Sequence, residues 1–302
     1  MKIFVSGATG LVGSELTRVL RAAGHDVRRL IRGPVQSSSD DAPWNPERGE
    51  LDPHALAGAN AVINLSGESI AEGRWTSEKK RRIQESRVQS TRTLATTLAQ
   101  MAEPPQVFLS ASAIGYYGNR GEELLTEQSP PGSGQFLPEV CRDWEAATQP
   151  AADKGIRVVL ARFGMILSGK GGALKKMLLP FKLGLGGRIG NGRQFMSWIA
   201  IDDVVGALMY CLASASLRGP VNVVSPHPVT NAEYTATLAR VLGRPAISPM
   251  PAFAARLIFG QMADELLLSS QRVEPEKLLS NQYAFRCPAL EPALKHVLGK
   301  QS

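Results

Sequence analysis

Short apolar runs and helical repeats follow one another along the chain, and their spacing predicts the secondary structure. Residues 2–6, KIFVS, form an apolar run that leads into the glycines of GATGLVG. In the next segment, SELTRVLRAAG, residues Leu16, Val19 and Leu20 share one helical face, and Gly24 favours a helix end. The following run, DVRRLI, is again strand-like. This order predicts a strand, a glycine turn, a helix and a second, parallel strand.

The same alternation continues to the end of the chain. Further strands are predicted at residues 61–65, 107–110, 155–167 and 221–224, with a long helix at 77–101. Repeated strand–helix units predict an α/β fold, a Rossmann-type doubly wound parallel sheet with a smaller C-terminal substrate domain. The predicted domains are 1–225, with a lid-like insertion at 168–198, and 226–302.

Two later helices carry capping signals at their starts. Asp202 precedes the apolar segment VVGALMYCLA and is predicted to be its N-cap. Thr230 and Glu233 have the spacing of a capping box ahead of a second helix.

Composition limits the class of protein. Of 302 residues, 43% are hydrophobic and 20% are charged, and no apolar run approaches the ~20 residues that span a bilayer. The start, MKIFVSGATG, lacks an apolar secretory segment, so we predict a cytoplasmic protein with no membrane partner. Three cysteines and four histidines are scattered, which predicts neither a disulfide framework nor a metal site.

The chain is basic, with a formal net charge of +7, and therefore attracts anions. Its densest basic run, SEKKRR, is typical of a solvated helix face. Only Trp75 lies near this run, whereas nucleic-acid surfaces interleave several aromatic residues with basic ones, so we predict no nucleic-acid partner. Arg82 and Arg87 are the candidates in this helix that turn inward to bind cofactor phosphates.

The glycine turn after the first strand has the context of a dinucleotide-binding site, because a strand precedes it and a helix follows. The first glycine permits the tight turn, the second lets the backbone approach a pyrophosphate, and the third allows the helix to pack closely on the strand. N–H groups at the helix start face the anion. The predicted cofactor-binding residues here are Gly7, Ala8, Thr9, Gly10, Leu11, Val12 and Gly13.

Arginines stand at the end of the second strand, where an NAD site usually has an acidic residue. The run contains Arg28, Arg29 and Arg32 and no carboxylate. Arginine favours a 2′-phosphate, so we predict NADP over NAD, with Arg32 at the strand end as the contact. The alternative is a solvated basic edge.

Small residues end two of the predicted strands. Leu65, Ser66 and Gly67 follow one of them, and Ser110 ends the next. A cofactor lies against such backbone at the carboxyl ends of parallel strands, so these residues are cofactor-binding candidates. A simple strand-to-loop turn is the alternative.

Several blocks resemble a known family. GATGLVG, INLSG and SASAIGYYG resemble an extended short-chain dehydrogenase/reductase, and LLPFKLGLGGRIGNGRQFMSWIAIDDV and NVVSPHPVTNAEYTATLARVLGRP resemble its atypical "epimerase family protein" group. The resemblance covers nearly the whole chain. It implies an NAD(P)-binding protein similar to nucleotide-sugar epimerases.

In that superfamily, hydride chemistry uses a serine on the fifth strand and a Tyr-x-x-x-Lys pair. The ammonium group stabilises the phenolate of a tyrosine whose ordinary pKa, about 10, is too high for acid–base work at neutral pH. Ser112 is present, but the tyrosine position falls on Phe136 or Leu137 and the lysine position on Val140 or Cys141.

Three explanations of the missing pair stay open. Another residue takes the acid–base role: Tyr116 and Tyr117, just after Ser112, come first, and Glu139, Cys141 or Asp143 are also near in sequence, unless the tyrosine rings only pack over the cofactor. Alternatively the protein binds NADP as a sensor or scaffold without redox chemistry. Finally, GQFLPEVCRDWEA is only a core helix, and any chemistry lies elsewhere.

The second half of the chain carries further candidates. Arg162 corresponds to an arginine that the resemblance puts between cofactor and substrate, although pairing with a carboxylate is the alternative. The lysine- and glycine-rich segment 168–198 is typical of a lid over an anionic ligand, or of a flexible loop. We therefore expect an NADP-dependent oxidoreductase or nucleotide-sugar epimerase-like enzyme with a small anionic substrate. The alternative is a non-catalytic NADP-binding protein, and the oligomeric state is not determined by the sequence.

Overall fold

The structure, a computed structural model, describes residues 1–33 and 41–300. Its strands are β1 Lys2–Ser6, β2 Asp26–Arg32, β3 Ala42–Trp44, β4 Ala61–Asn64, β5 Val107–Ala113, β6 Leu124–Leu125, β7 Arg157–Phe163, β8 Met165–Leu167, β9 Phe195–Met196, β10 Trp198–Ala200, β11 Gly219–Val223, β12 Val229–Thr230 and β13 Arg272–Val273. Its helices are α1 Leu11–Ala22, α2 Ser77–Gln100, α3 Phe136–Ala146, α4 Gln149–Asp153, α5 Gly172–Lys182, α6 Ile201–Ala213, α7 Asn231–Leu242, α8 Ala252–Phe259, α9 Glu276–Ser280 and α10 Leu290–Val297. Short helical turns lie at Pro53–Leu56, Ile114–Tyr117 and Ala263–Leu267.

Seven parallel strands form the central sheet, in the order β11-β7-β5-β4-β1-β2-β3. Side chains alternate between its faces. Ile3 and Val5 of β1 pack with α1 and α6 in one core, and Phe4 packs with α2 and α4 in another. Helices therefore cover both faces, and the predicted doubly wound sheet is confirmed.

Local signals predicted several helix ends. Gly24 has φ +81° directly after α1, a conformation that glycine adopts without strain. The capping box of Thr230 and Glu233 is formed in full at the start of α7. The prediction for Asp202 was wrong, because α6 begins earlier and its N-cap is Ala200. Asp203 is buried instead and accepts the N–H groups of two residues near the C-terminus, Arg286 and Cys287.

Segment 168–198 contains α5 and is partly built into a hydrophobic core. Leu174 and Phe181 of α5 are buried with Leu238 of α7 and Leu294 of α10. The N-terminal end of α5 lies against α1, since a Cβ atom on Gly171 would stand 3.2 Å from a methyl group of Leu11. Lid motion in this segment and the domain boundary at 225/226 stay predictions. Among the described helices, none has the length and apolar character needed to cross a membrane.

Candidate functional site: the carboxyl edge of the sheet

The turn between β1 and α1 has no room for side chains at its glycines. Gly7 has φ +67°, and a Cβ atom there would stand 2.6 Å from the carbonyl carbon of Leu65. A Cβ atom on Gly13 would stand 2.1 Å from the carbonyl oxygen of Gly7. Real Cβ atoms do not approach other atoms so closely. The close packing of helix α1 with the turns after β1 and β4 therefore requires glycine at both positions.

The start of α1 presents N–H groups that the described protein leaves uncapped. Gly10, the N-cap, provides no side-chain hydrogen bond, and the first turn has no acidic residue. The N–H of Ser14 is the first to reach a carbonyl oxygen, that of Gly10, at 3.0 Å. Thr9 and Gly10 are exposed. An uncapped helix start beside a backbone without side chains fits the pyrophosphate of a dinucleotide.

The turn after β4 is held by an asparagine to which the sequence analysis gave no role. The side-chain oxygen of Asn64 accepts the hydroxyl of Ser6 at 2.6 Å and the N–H of Ser66 at 3.2 Å. Its amide nitrogen donates to Thr91 of α2 at 2.8 Å. Asn64 is fully buried, so these bonds fix the backbone of the turn. A polar residue ending the apolar run AVIN was the signal in the sequence.

Arg87 of α2 lies against this turn. A Cβ atom on Gly67 would stand 3.3 Å from the Arg87 guanidinium carbon, which is also 5.1 Å from the centre of the Trp144 ring. Its Nη1 donates to the carbonyl oxygen of Ile83 in the same helix at 3.0 Å. Burial lowers the pKa of Arg87. Arg82, in contrast, is exposed and pairs with Glu78 one turn earlier, at 3.0 Å.

Helix α3 occupies the part of the chain where the Tyr-x-x-x-Lys pair is absent. Leu137 and Cys141 lie against Gly115, with Cys141 Sγ 3.7 Å from where a Cβ atom would be. Burial raises the pKa of the Cys141 thiol to about 12, so it is protonated at neutral pH. Phe136 packs edge-to-face on Trp75, with ring centres 5.4 Å apart. Phe136, Leu137 and Cys141 are therefore packing residues.

One turn beyond Cys141, Glu145 joins a buried ion pair. Ser112, Arg162 and Asn222 are register partners across β5, β7 and β11, so their side chains point to the same face of the sheet. The Glu145 carboxylate accepts the Ser112 hydroxyl at 2.6 Å and two Arg162 nitrogens at 2.7 Å each. The carboxylate pairing that the sequence left open for Arg162 is therefore present.

The two tyrosines after β5 differ in their surroundings. Tyr117 is fully buried; its hydroxyl donates to Asn222 at 2.7 Å and accepts from Arg162 at 3.0 Å. Burial raises the pKa of Tyr117 to about 12, against the opposing effect of Arg162. Tyr116 is half-buried, and the Arg162 guanidinium carbon lies 3.5 Å from its ring centre. Tyr116 is the more accessible of the pair.

The chain matches two models of known protein families. Residues 3–224 match the NAD dependent epimerase/dehydratase family, which is more than half of the chain. The chain belongs to this family. Residues 250–297 also match a domain of unknown function, DUF1731.

Members of the epimerase family are similar along the whole chain. Epimerase family protein Mb2239 of Mycobacterium bovis is 44% identical over 97% of this chain and 96% of its own length. The crystal structure of human epimerase family protein SDR39U1 (isoform 2) with NADPH has a TM-score of 0.91 and 34% identity, covering 100% of both chains. A nucleoside-diphosphate sugar epimerase from Corynebacterium glutamicum has a TM-score of 0.82 and 36% identity, covering 99% of this chain and 58% of its own.

Within this family fold, the predicted residues form two groups at the carboxyl edge of the sheet. The glycine turn, the turn at 65–67 and Arg87 form one, and Ser112, Tyr116, Tyr117 and Arg162 form the other. Ser110 is fully buried within β5. Arg32 is exposed at the end of β2, which neighbours β1 on the side away from β4 and β5. Arg82 lies apart from all of them on the solvent face of α2. The sequence analysis assigned no role to Glu145 or Asn222, whose partners are distant in sequence.

Proposed function

We propose that this chain binds NADP and is an oxidoreductase or nucleotide-sugar epimerase-like enzyme that acts on a small anionic substrate. The observation that carries this proposal is the β1–α1 turn, where Gly7 and Gly13 leave no space for a Cβ atom and the helix start is uncapped. Human SDR39U1, similar over its whole length, was crystallised with NADPH. A second relative is called a nucleoside-diphosphate sugar epimerase, which supports the substrate class.

The roles of the residues follow from their positions. The glycine turn binds the pyrophosphate, residues 65–67 support the cofactor from β4, and Arg32 contacts the 2′-phosphate. When bound, the cofactor supplies or accepts the hydride. The proton donor that we propose is Tyr116, because Tyr117 is buried and already bonded at its hydroxyl. Ser112 contacts a substrate oxygen only if its hydroxyl leaves Glu145.

An anionic substrate is favoured by the charge of the segment beside the site. Between Asp153 and Asp202 the sequence has no acidic residue, while lysines and arginines recur. Lys176 of α5 bonds to the carbonyl oxygen of Ala71, in the loop that follows β4, so α5 closes one side of the cofactor edge. Lysines that border the site attract phosphate groups.

A second candidate function, NADP binding without redox chemistry, is favoured by the Glu145–Arg162 pair. This pair holds Ser112 and Tyr117 in a buried network, and the carboxylate that α3 contributes there, Glu145, is already bonded to Arg162. In that case the bound NADP would regulate a contact with another molecule. The cytoplasmic location and the absence of nucleic-acid and membrane partners remain predictions.

Titration with NADPH and NADH tests the cofactor proposal. Wild-type protein should bind NADPH more tightly by at least tenfold, since a single arginine–phosphate contact contributes on the order of 1.5–3 kcal/mol. Arg32→Ala should remove most of that preference, whereas Arg18→Ala, an exposed arginine of α1, should preserve it. Equal binding of both nucleotides by the wild type would contradict the NADP assignment.

Turnover separates the two functions. Wild-type protein with NADPH is assayed against carbonyl compounds and nucleotide-sugars, following cofactor absorbance and isomer formation. The enzyme proposal expects one class to react and Tyr116→Phe to lower its kcat by at least about a hundredfold. If NADPH binds but no compound reacts, the non-catalytic function is favoured.

A further inference from the structure

Lys79, Arg87 and Arg162 lie on the β4–β5 side of the cofactor edge, and the first and last of them have carboxylate partners. Lys79 bonds to Glu68 at 2.6 Å, and Arg162 bonds to Glu145 at 2.7 Å. Arg87 has no carboxylate within ion-pair distance anywhere in residues 1–33 and 41–300, and its hydrogen bond goes to a neutral carbonyl group. Glu68, which is bonded to Lys79, also attracts Arg87, so this carboxylate is shared and Arg87 has no partner of its own.

Arg87 stands close to the place of the absent lysine. Its guanidinium stacks over Trp144, which lies three residues after Cys141 on α3. Glu145, the next residue, brings Arg162 to the same turn of the helix from β7. The two guanidinium groups thus approach the Cys141 region from α2 and from β7. Since Glu145 neutralises Arg162, the remaining positive charge comes from Arg87.

The order of the strands shows which half of a dinucleotide this charge faces. The fold binds the pyrophosphate at the turn after β1, and the adenosine ribose at the end of β2. β4 and β5 lie on the other side of β1, so the nicotinamide half extends toward them. The Arg87 guanidinium lies beside Gly67, which ends the β4 turn, since a Cβ atom there would stand 3.3 Å from the guanidinium carbon. This step rests on the proposed NADP binding.

We propose that Arg87 supplies from α2 the positive charge that the absent lysine would place at the nicotinamide end, and that this charge favours NADPH over NADP⁺. The oxidised nicotinamide ring is a cation and the reduced ring is neutral. Attraction between Arg87 and the cofactor phosphates is the same in both oxidation states. The change in the ratio of the two dissociation constants when Arg87 is replaced therefore isolates the interaction of Arg87 with the ring.

The experiment measures dissociation constants for NADPH and NADP⁺ by calorimetry, in wild type and three variants of the full chain. Arg87→Gln should reduce the preference for NADPH by at least about fivefold, the effect of two charges about 4 Å apart in bulk water, since the effect is larger where water is partly excluded. Arg87→Lys keeps the charge and should keep the preference. Arg92→Gln removes an exposed arginine from the same helix and should leave the ratio unchanged.

The experiment distinguishes a failure of the proposed NADP binding from a failure of the proposed role of Arg87. If wild-type protein binds neither nucleotide, the proposed function fails. If both bind and Arg87→Gln leaves their ratio at the wild-type value, only the role of Arg87 is overturned. Should Arg87→Gln not fold, Arg87→Met places an uncharged apolar side chain beside Trp144 and should reduce the preference for NADPH to the same extent.

Discussion

Replacing Glu145 by glutamine tests the buried network most directly. Side-chain exposure is 3% for Arg162 and 11% for Glu145, so neither charge is compensated by water. The substitution keeps the shape of the side chain, but it removes the charge that balances Arg162 and replaces one acceptor oxygen with a donor. Removing one partner of a buried pair costs about 3–5 kcal/mol. We expect Glu145→Gln to lower the free energy of unfolding by at least about 3 kcal/mol.

Urea denaturation followed by circular dichroism measures this loss. Glu139→Gln is the matched control, since Glu139 is exposed on the same helix, and it should change the free energy of unfolding by less than about 0.5 kcal/mol. The double variant Glu145→Gln with Arg162→Met removes the uncompensated charge. It should therefore be less destabilised than the sum of the two single variants. A loss below about 1 kcal/mol for Glu145→Gln, or strict additivity, would refute the reasoning.

Three further outcomes are expected. Gly13→Ala should abolish NADPH binding in a fluorescence titration, because its Cβ atom would stand 2.1 Å from a backbone oxygen; Gly24→Ala, with no atom within 4 Å, should cost stability but retain binding. Tyr117, whose pKa is raised to about 12, should contribute stability that is complete below its unfolded pKa of about 10 and lost as pH rises toward 12. Denaturation curves of wild type at rising pH should show this loss, and Tyr117→Phe should reduce it. The same pH dependence in wild type and Tyr117→Phe would contradict the raised pKa of Tyr117. The Cys141 thiol, with its pKa raised to about 12, should resist thiol reagents at pH 8 in native protein and react after unfolding, as mass spectrometry of the modified peptide can show.

Much of the fold could be predicted from the sequence because its signals are local. The apolar run before GATGLVG and the repeat of Leu16, Val19 and Leu20 after it correspond to β1 and α1. The capping box at Thr230 needs only residues three apart. The prediction for Asp202 failed because the residue before it, Ile201, already lies in the helix that continues from β10.

The network around Arg162 could not be predicted in the same way. Its members come from five elements, and Tyr117 meets Asn222 across 105 positions of sequence. Which side chains share a face depends on which strands are neighbours and in which register they pair. Strand order and register are set by contacts between distant parts of the chain, so they can be read only from the folded sheet.

The sequence by itself determined the order of strands and helices, the glycine turn and the absence of a tyrosine and a lysine from GQFLPEVCRDWEA. These are properties of neighbouring residues, which set backbone conformation and helix faces directly. Only the tertiary structure decided what α3 contributes in their place. Folding puts Trp144 under Arg87 and Glu145 against Arg162, because strands and helices far apart in sequence bring these charges to one edge of the sheet.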